Sequence, residues 1–134
     1  MKQTFIIFLL ALSLTSCTER GPDINTLANA DLIIGEWGLT IIEVYESGSD
    51  SIIDSADNSD LGYMYHFERG GKLLHYGNHL YEYAYKVHGP EIKISSDGIN
   101  WGIPGKIESI GEKTMRIRWP SDLGYDSVFN YERL

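Results

Sequence analysis

Leu80-Tyr81-Glu82-Tyr83-Ala84-Tyr85-Lys86-Val87-His88 carries the plainest pattern in the chain. Tyr81, Tyr83, Tyr85 and Val87 share one side of an extended backbone. Glu82, Lys86 and His88 take the other, with Ala84 between them. Successive side chains point to opposite faces only in a β-strand. A strand that is apolar on one face and polar on the other suits a half-buried antiparallel sheet. Gly77-Asn78 before it and Gly89-Pro90 after it are turn signals.

The same pattern extends along the chain in both directions. Upstream, Tyr63, Tyr65 and Phe67 share a face, and Arg69-Gly70-Gly71-Lys72 turns the chain into Leu73 to Tyr76 as a hairpin. Downstream, Ile92 and Ile94 are followed by Ser96-Asp97-Gly98. Ile99, Trp101 and Ile103 then alternate up to Pro104-Gly105, and Lys106 to Ile110 continues the pattern. After Gly111-Glu112-Lys113, Met115, Ile117 and Trp119 oppose Arg116 and Arg118. A loop from Pro120 to Gly124 leads into the last run, Tyr125 to Leu134.

The first strand spans about Glu36 to Tyr45. Trp37, Leu39 and Ile41 share one face, then Ile42 and Val44 take over on the other. A change of phase within a strand predicts a bulge. Ser47 to Asp60 is polar and acidic around Ile52-Ile53, which predicts a long loop or a short hairpin. Asn25 to Ile34 has room for a helical turn, with Asn25 or Thr26 as N-cap and Gly35 as the stop.

Eight or nine short strands joined by tight turns pair antiparallel, and a sheet removes its edges by closing. The expected fold is all-β, an antiparallel up-and-down barrel of about eight strands. A two-sheet β-sandwich is the alternative.

The start of the chain reads differently. Lys2 is followed by the apolar run Phe5 to Leu12, too short to span a bilayer as a helix. Leu14-Thr15-Ser16-Cys17 closes it, and Cys17 is the only cysteine. This arrangement resembles a bacterial lipoprotein signal. The resemblance implies removal of residues 1–16, lipidation of Cys17 and a membrane anchor in the bacterial cell envelope. Thr18, where an Asp would resemble an inner-membrane retention signal, favours the outer membrane. Several acyl chains anchor where a single one would not. Residues 17–30 then form a lipidated polar tether and residues 31–134 the barrel domain. About 118 residues remain after cleavage, the size of one domain.

The formal net charge is −8. An acidic chain is a poor partner for nucleic acid, whose phosphates need a basic face, and for anionic lipid through a polybasic patch.

Gly35-Glu36-Trp37, on the first strand after a helical turn, resembles the Gly-x-Trp signature of lipocalins. Leu32 to Leu39 is similar to the opening of small lipocalin-like lipoproteins. Phe67-Glu68-Arg69-Gly70-Gly71-Lys72-Leu73 resembles the hairpin of their second and third strands, and the final Tyr131 also fits. The resemblance implies a calycin-type barrel with Trp37 across its closed end, and a habit of binding small ligands. No disulfide and no C-terminal helix accompany it.

Tyr63, Tyr65, Phe67, Tyr81, Tyr83, Tyr85, Trp101 and Trp119 are expected on inward faces. Such a lining could stack on a small apolar or amphipathic ligand while phenol groups bond its polar end; alternatively the rings fill a solid barrel. Asp50, Asp54, Asp57 and Asp60 fail the calcium-loop spacing, since Ala56 stands where a ligand is needed. His66, His75, His79 and His88 read as scattered on polar faces rather than as a zinc site. No nucleophile elbow, phosphate loop or metalloprotease motif is present. The expectation is a binding protein, not an enzyme, with no cofactor and no metal. The rival is a solid barrel that binds an envelope protein as an interaction or inhibitor module.

Overall fold

The computed structural model describes residues 29–134. The leader, Cys17 and the candidate caps Asn25 and Thr26 lie outside the described residues. Residues 29–32 are helical. Nine strands follow: β1 (Gly35–Glu46), β2 (Ile52–Asp57), β3 (Met64–Glu68), β4 (Lys72–Tyr76), β5 (Leu80–His88), β6 (Glu91–Ser95), β7 (Gly105–Ile110), β8 (Thr114–Pro120) and β9 (Tyr125–Arg133). All neighbouring pairs are antiparallel. The order runs β1-β3-β4-β5-β6-β7-β8-β9, and β9 returns to pair with β1. Eight strands thus close a barrel, and β2 is an extra strand outside the ring.

β1 makes this possible by serving two neighbours along one edge. Its first half, Gly35 to Gly38, pairs with β3, and its second half, Ile41 to Tyr45, pairs with β2. Between the halves its register against β9 slips by one residue, from Leu39↔Tyr131 to Ile42↔Phe129. The phase change in the sequence is this bulge. Ile41, which the alternation puts on the face of Trp37 and Leu39, is instead turned outward and 40% exposed, because the bulge lies before it, and Ile42 packs against the core. The acidic segment is a hairpin rather than a loop. β2 pairs with β1 as an outer ribbon, with every residue exposed, and a 3-10 turn at Ser59–Leu61 leads into β3.

The core fills one end of the barrel. Trp37 is fully buried among Ile33, Phe67, Leu73, Tyr85, Ile92, Ile107, Met115 and Ile117. Its indole N–H donates to the Ile33 carbonyl at 2.9 Å, and the Arg133 guanidinium lies 4.1 Å from its ring centre. Arg133 also donates to the carbonyls of Ile34 (2.9 Å), Leu32 and Glu112 (2.6 Å). Arg133 is therefore a plug. It ties the helical turn, the β7–β8 turn and the last strand together beneath Trp37. Gly35 makes room for it, because a Cβ there would sit 2.8 Å from a guanidinium nitrogen.

Candidate functional site: the mouth of the barrel

The inward phases of β3, β4, β5, β6, β8 and β9 continue from the core toward the other end of the barrel. There Tyr65, Leu73, His75, Tyr83, Ile94, Trp119, Phe129 and Tyr131 line an open cup of about 280 Å³. Leu73 and Tyr131 are buried at its base, and the other lining residues are half-buried. Six of the eight carry rings. Tyr65 lies edge-on to Tyr131 at 5.3 Å and 84°. It stacks on His75 at 4.3 Å and 6°. Phe129 and Tyr131 are tilted at 46°. Tyr63 meets His75 edge-on, and Tyr81 continues the cluster to the rim, where it is 45% exposed.

Burial opposes charge on three groups of this cluster. Burial pushes the Tyr65 phenol up to about 12, with Tyr83 and Tyr63 adding to the effect. Burial raises Tyr131 well above the ordinary phenol value, with Tyr65 adding. Burial lowers His75 below the usual imidazole value, so the ring is neutral at pH 7. His75 Nε2 is also the one buried side-chain polar atom without a hydrogen-bond partner among the described residues. Such an atom is costly to bury. The cup offers ring faces, phenol oxygens and apolar walls.

The sequence expectations divide as follows. Tyr65, Tyr83 and Trp119 line the cup, and Tyr63 and Tyr81 border it. Phe67 and Tyr85 face inward but belong to the packed end. They meet edge-on at 5.0 Å, and the Tyr85 hydroxyl donates to the Glu68 carbonyl at 2.8 Å. Gly35 and Trp37 belong to the packed end, where Trp37 is fully buried.

Trp101 is not in the interior. It lies beneath the Lys86 ammonium at 4.1 Å, on the outer face of β5, and Ile99 beside it is 80% exposed. The alternation of Ile99, Trp101 and Ile103 does not make a strand, because Asp97 captures the segment first. Its carboxylate accepts from the backbone N–H groups of Ile99 and Asn100, both at 2.8 Å, and from the Asn100 side chain. These bonds, with Ser95, hold the Asp97 carboxyl well below the usual carboxylate range. Side-chain capture of local backbone competes with sheet pairing.

His75 is the second correction. It faces the interior instead of a polar face, in the same phase as Leu73. Leu73, His75, Ile94, Phe129 and Tyr131 line the cup although the sequence did not offer them as site residues. Their signal was the period-two spacing of Leu73 with His75, of Ile92 with Ile94, and of Phe129 with Tyr131.

A second polar cluster occupies the outer wall over β1, β9, β8 and β7. Arg118 donates to Asp126 (2.9 Å), Glu108 (3.1 Å) and the Ser49 carbonyl (3.1 Å). Arg116 donates to Glu108 (2.9 Å), Glu43, the Tyr45 hydroxyl (3.0 Å) and Asn130 (3.1 Å). Burial works against the charges of Glu43 and Asp126, yet their hydrogen bonds outweigh it and hold both carboxyls below the ordinary range. Every charge here has a partner, so the cluster reads as a clasp on the barrel seam rather than a binding site. No family model, curated protein or solved structure matches the chain.

Proposed function

We propose that the chain is a lipocalin-like binding protein of the bacterial cell envelope, held at the membrane through lipidated Cys17, which takes a small apolar or amphipathic ligand in the mouth of its barrel. The observation that carries this reading is the cup: six rings around an open space of about 280 Å³, above a core that is otherwise closed. Ligand pockets are concave and mostly apolar, with a few placed polar groups. At about 280 Å³ it lies just below the usual range of about 300–1,000 Å³, so it suits one ring, one short acyl segment or one compact head group. The reaction is passive binding. The anchor rests on the leader sequence alone.

Mass spectrometry under native conditions, on the protein purified from cells, tests both parts. The expected spectrum shows a chain lacking residues 1–16, carrying acyl chains, with a small non-covalent adduct that Tyr83→Ala abolishes. A wild-type protein with no adduct sinks the ligand reading, and an unprocessed, unacylated chain sinks the anchor.

A second reading has its own observation. Leu80 at the start of β5 and Leu123 on the turn before β9 stand exposed, Ile99 is exposed on the loop after β6, and β2 offers a free strand edge with exposed Ile52 and Ile53. A solid barrel that docks an envelope protein would use such features. Recovery of one stoichiometric protein with the purified chain, and no small adduct, favours it.

A further inference from the structure

The cup is more particular than a generic apolar pocket. Its rings are not arranged as a slot. A planar guest needs two parallel faces, whereas Tyr65 and Tyr131 stand at 84° and Phe129 and Tyr131 at 46°. Walls at such angles enclose a rounded group. Two pairs are near-parallel, and neither leaves room for a ring between them: Tyr65 on His75 is closed at 4.3 Å, and Tyr83 with its strand neighbour Tyr81 stands at 6.4 Å and 21°. The volume of about 280 Å³ admits a compact head with a short arm and excludes a long chain.

Charge separates the rounded groups that remain. No Lys, Arg, Asp or Glu lines the cup. An anionic guest would find no partner there, and the net charge of −8 would repel it. A cation is drawn toward the protein by the same field and finds ring faces, which attract cations through their quadrupole. A primary ammonium would bring three N–H donors that each need an acceptor. A quaternary ammonium has no N–H to satisfy.

We propose that the cup of Tyr65, Tyr83, Trp119, Phe129 and Tyr131 binds a compact quaternary ammonium group, an N-trimethyl head, by cation–π contact. The inference rests on the binding reading above and narrows it to one class of ligand. The group could be borne by a soluble methylated amine or by a choline lipid headgroup, and the chemistry of the head is the same in both.

The test is a calorimetric titration of the full chain with three probes: choline, ethanolamine, and 3,3-dimethylbutan-1-ol, which has the shape of choline with carbon in place of the charged nitrogen. Choline should bind about tenfold tighter than the neutral alcohol and than ethanolamine. Tyr83→Leu keeps an apolar wall but removes a quadrupole. It should erase most of the preference for choline while leaving the affinity for the neutral alcohol, which also reports that the cup is still folded. Sedimentation with phosphatidylcholine vesicles, reversed by free choline, marks a lipid headgroup as the source. Choline binding without sedimentation marks a soluble amine. Equal or tighter binding of the neutral alcohol overturns the inference and leaves the binding reading standing. Ethanolamine binding as tightly as choline overturns it too. If none of the three binds, the inference falls, and the adduct on the protein purified from cells decides the binding reading separately.

Discussion

Gly105→Ala is the substitution through which the packing of the cup wall is most directly tested. Gly105 opens β7, and the Trp119 ring lies across it. A Cβ at this position would sit 2.6 Å from Cε3 and Cζ3 of that ring and 3.0 Å from Cδ2. Carbon atoms settle at about 3.5–4.0 Å, so the added methyl overlaps a rigid ring by about 1 Å. Either Trp119 leaves its rotamer or β7 moves away. β7 is held to β8 by the ladder from Lys106↔Arg118 to Ile110↔Met115, and moving it away would break its two pairs with β6, Glu91↔Lys106 and Ile92↔Gly105. Overpacking of this kind costs about 1–3 kcal/mol. For a domain near this size the fall in Tm is about 4–8 °C for each kcal/mol. Urea and thermal unfolding of Gly105→Ala, Trp119→Leu and the double variant form a cycle. With Leu at 119 the methyl meets a shorter, flexible side chain, so the double variant should recover about 1 kcal/mol or more relative to additivity. Gly111→Ala is the control, since its Cβ would meet nothing within 4 Å. The reasoning fails if Gly105→Ala costs the same in both backgrounds, or no more than Gly111→Ala.

Two further outcomes follow from the same packing. Arg133→Lys should lower stability by about 2 kcal/mol in urea unfolding, because a single ammonium cannot reach three carbonyls and cover Trp37 as the planar guanidinium does; a lysine variant of wild-type stability would show that the plug is ornamental. His75→Phe keeps a ring over Tyr65 but removes the unpaired Nε2 and its proton, and should be about 1 kcal/mol more stable than wild type at pH 7.5. The sign of its pH dependence follows from the lowered pKa of His75. Above about pH 6.5 the imidazole is neutral in both folded and unfolded chains, and there is no linkage. Below it the unfolded chain takes up the proton first, so the wild type loses stability as pH falls toward the folded pKa. The advantage of the Phe variant should therefore widen between pH 6.5 and 5, and a gap independent of pH would refute the burial of this ring.

Local pattern carried the strands well where one face is buried. Leu80 to His88 is β5 residue for residue, and the phase change between Ile41 and Ile42 falls within the bulge that lets β1 serve β3, β2 and β9. β2 was ambiguous for the complementary reason. Both of its faces are exposed, so no apolar alternation marks it, and only pairing with β1 makes it a strand. Trp101 was misplaced because periodicity does not register the bonds Asp97 makes to the next turn. His75 was misplaced because a histidine beside a Gly-Asn turn reads as polar surface, while its phase relative to Leu73 places it inside. Arg133 is the least legible of all. Its role depends on Trp37, its register partner across the closure of the barrel, and no local pattern in either strand encodes that meeting.

The distribution of polar bonds argues against a barrel built for stability alone. The seam that closes the ring joins β1 to β9, segments separated by most of the described chain, and loop closure over such a span is opposed by entropy. That seam carries the Arg116–Arg118 clasp outside and the Arg133 plug beneath, each with its hydrogen bonds satisfied. The mouth is the reverse. It holds an imidazole nitrogen without a partner, and phenol groups where phenylalanine would fill the same space without a hydroxyl to desolvate. Departures from local economy concentrate at functional sites and are offset elsewhere in a fold. A barrel firmly locked at its seam and base can tolerate an underfilled, costly mouth, and a guest that covers those rings is the simplest physical reason for keeping one.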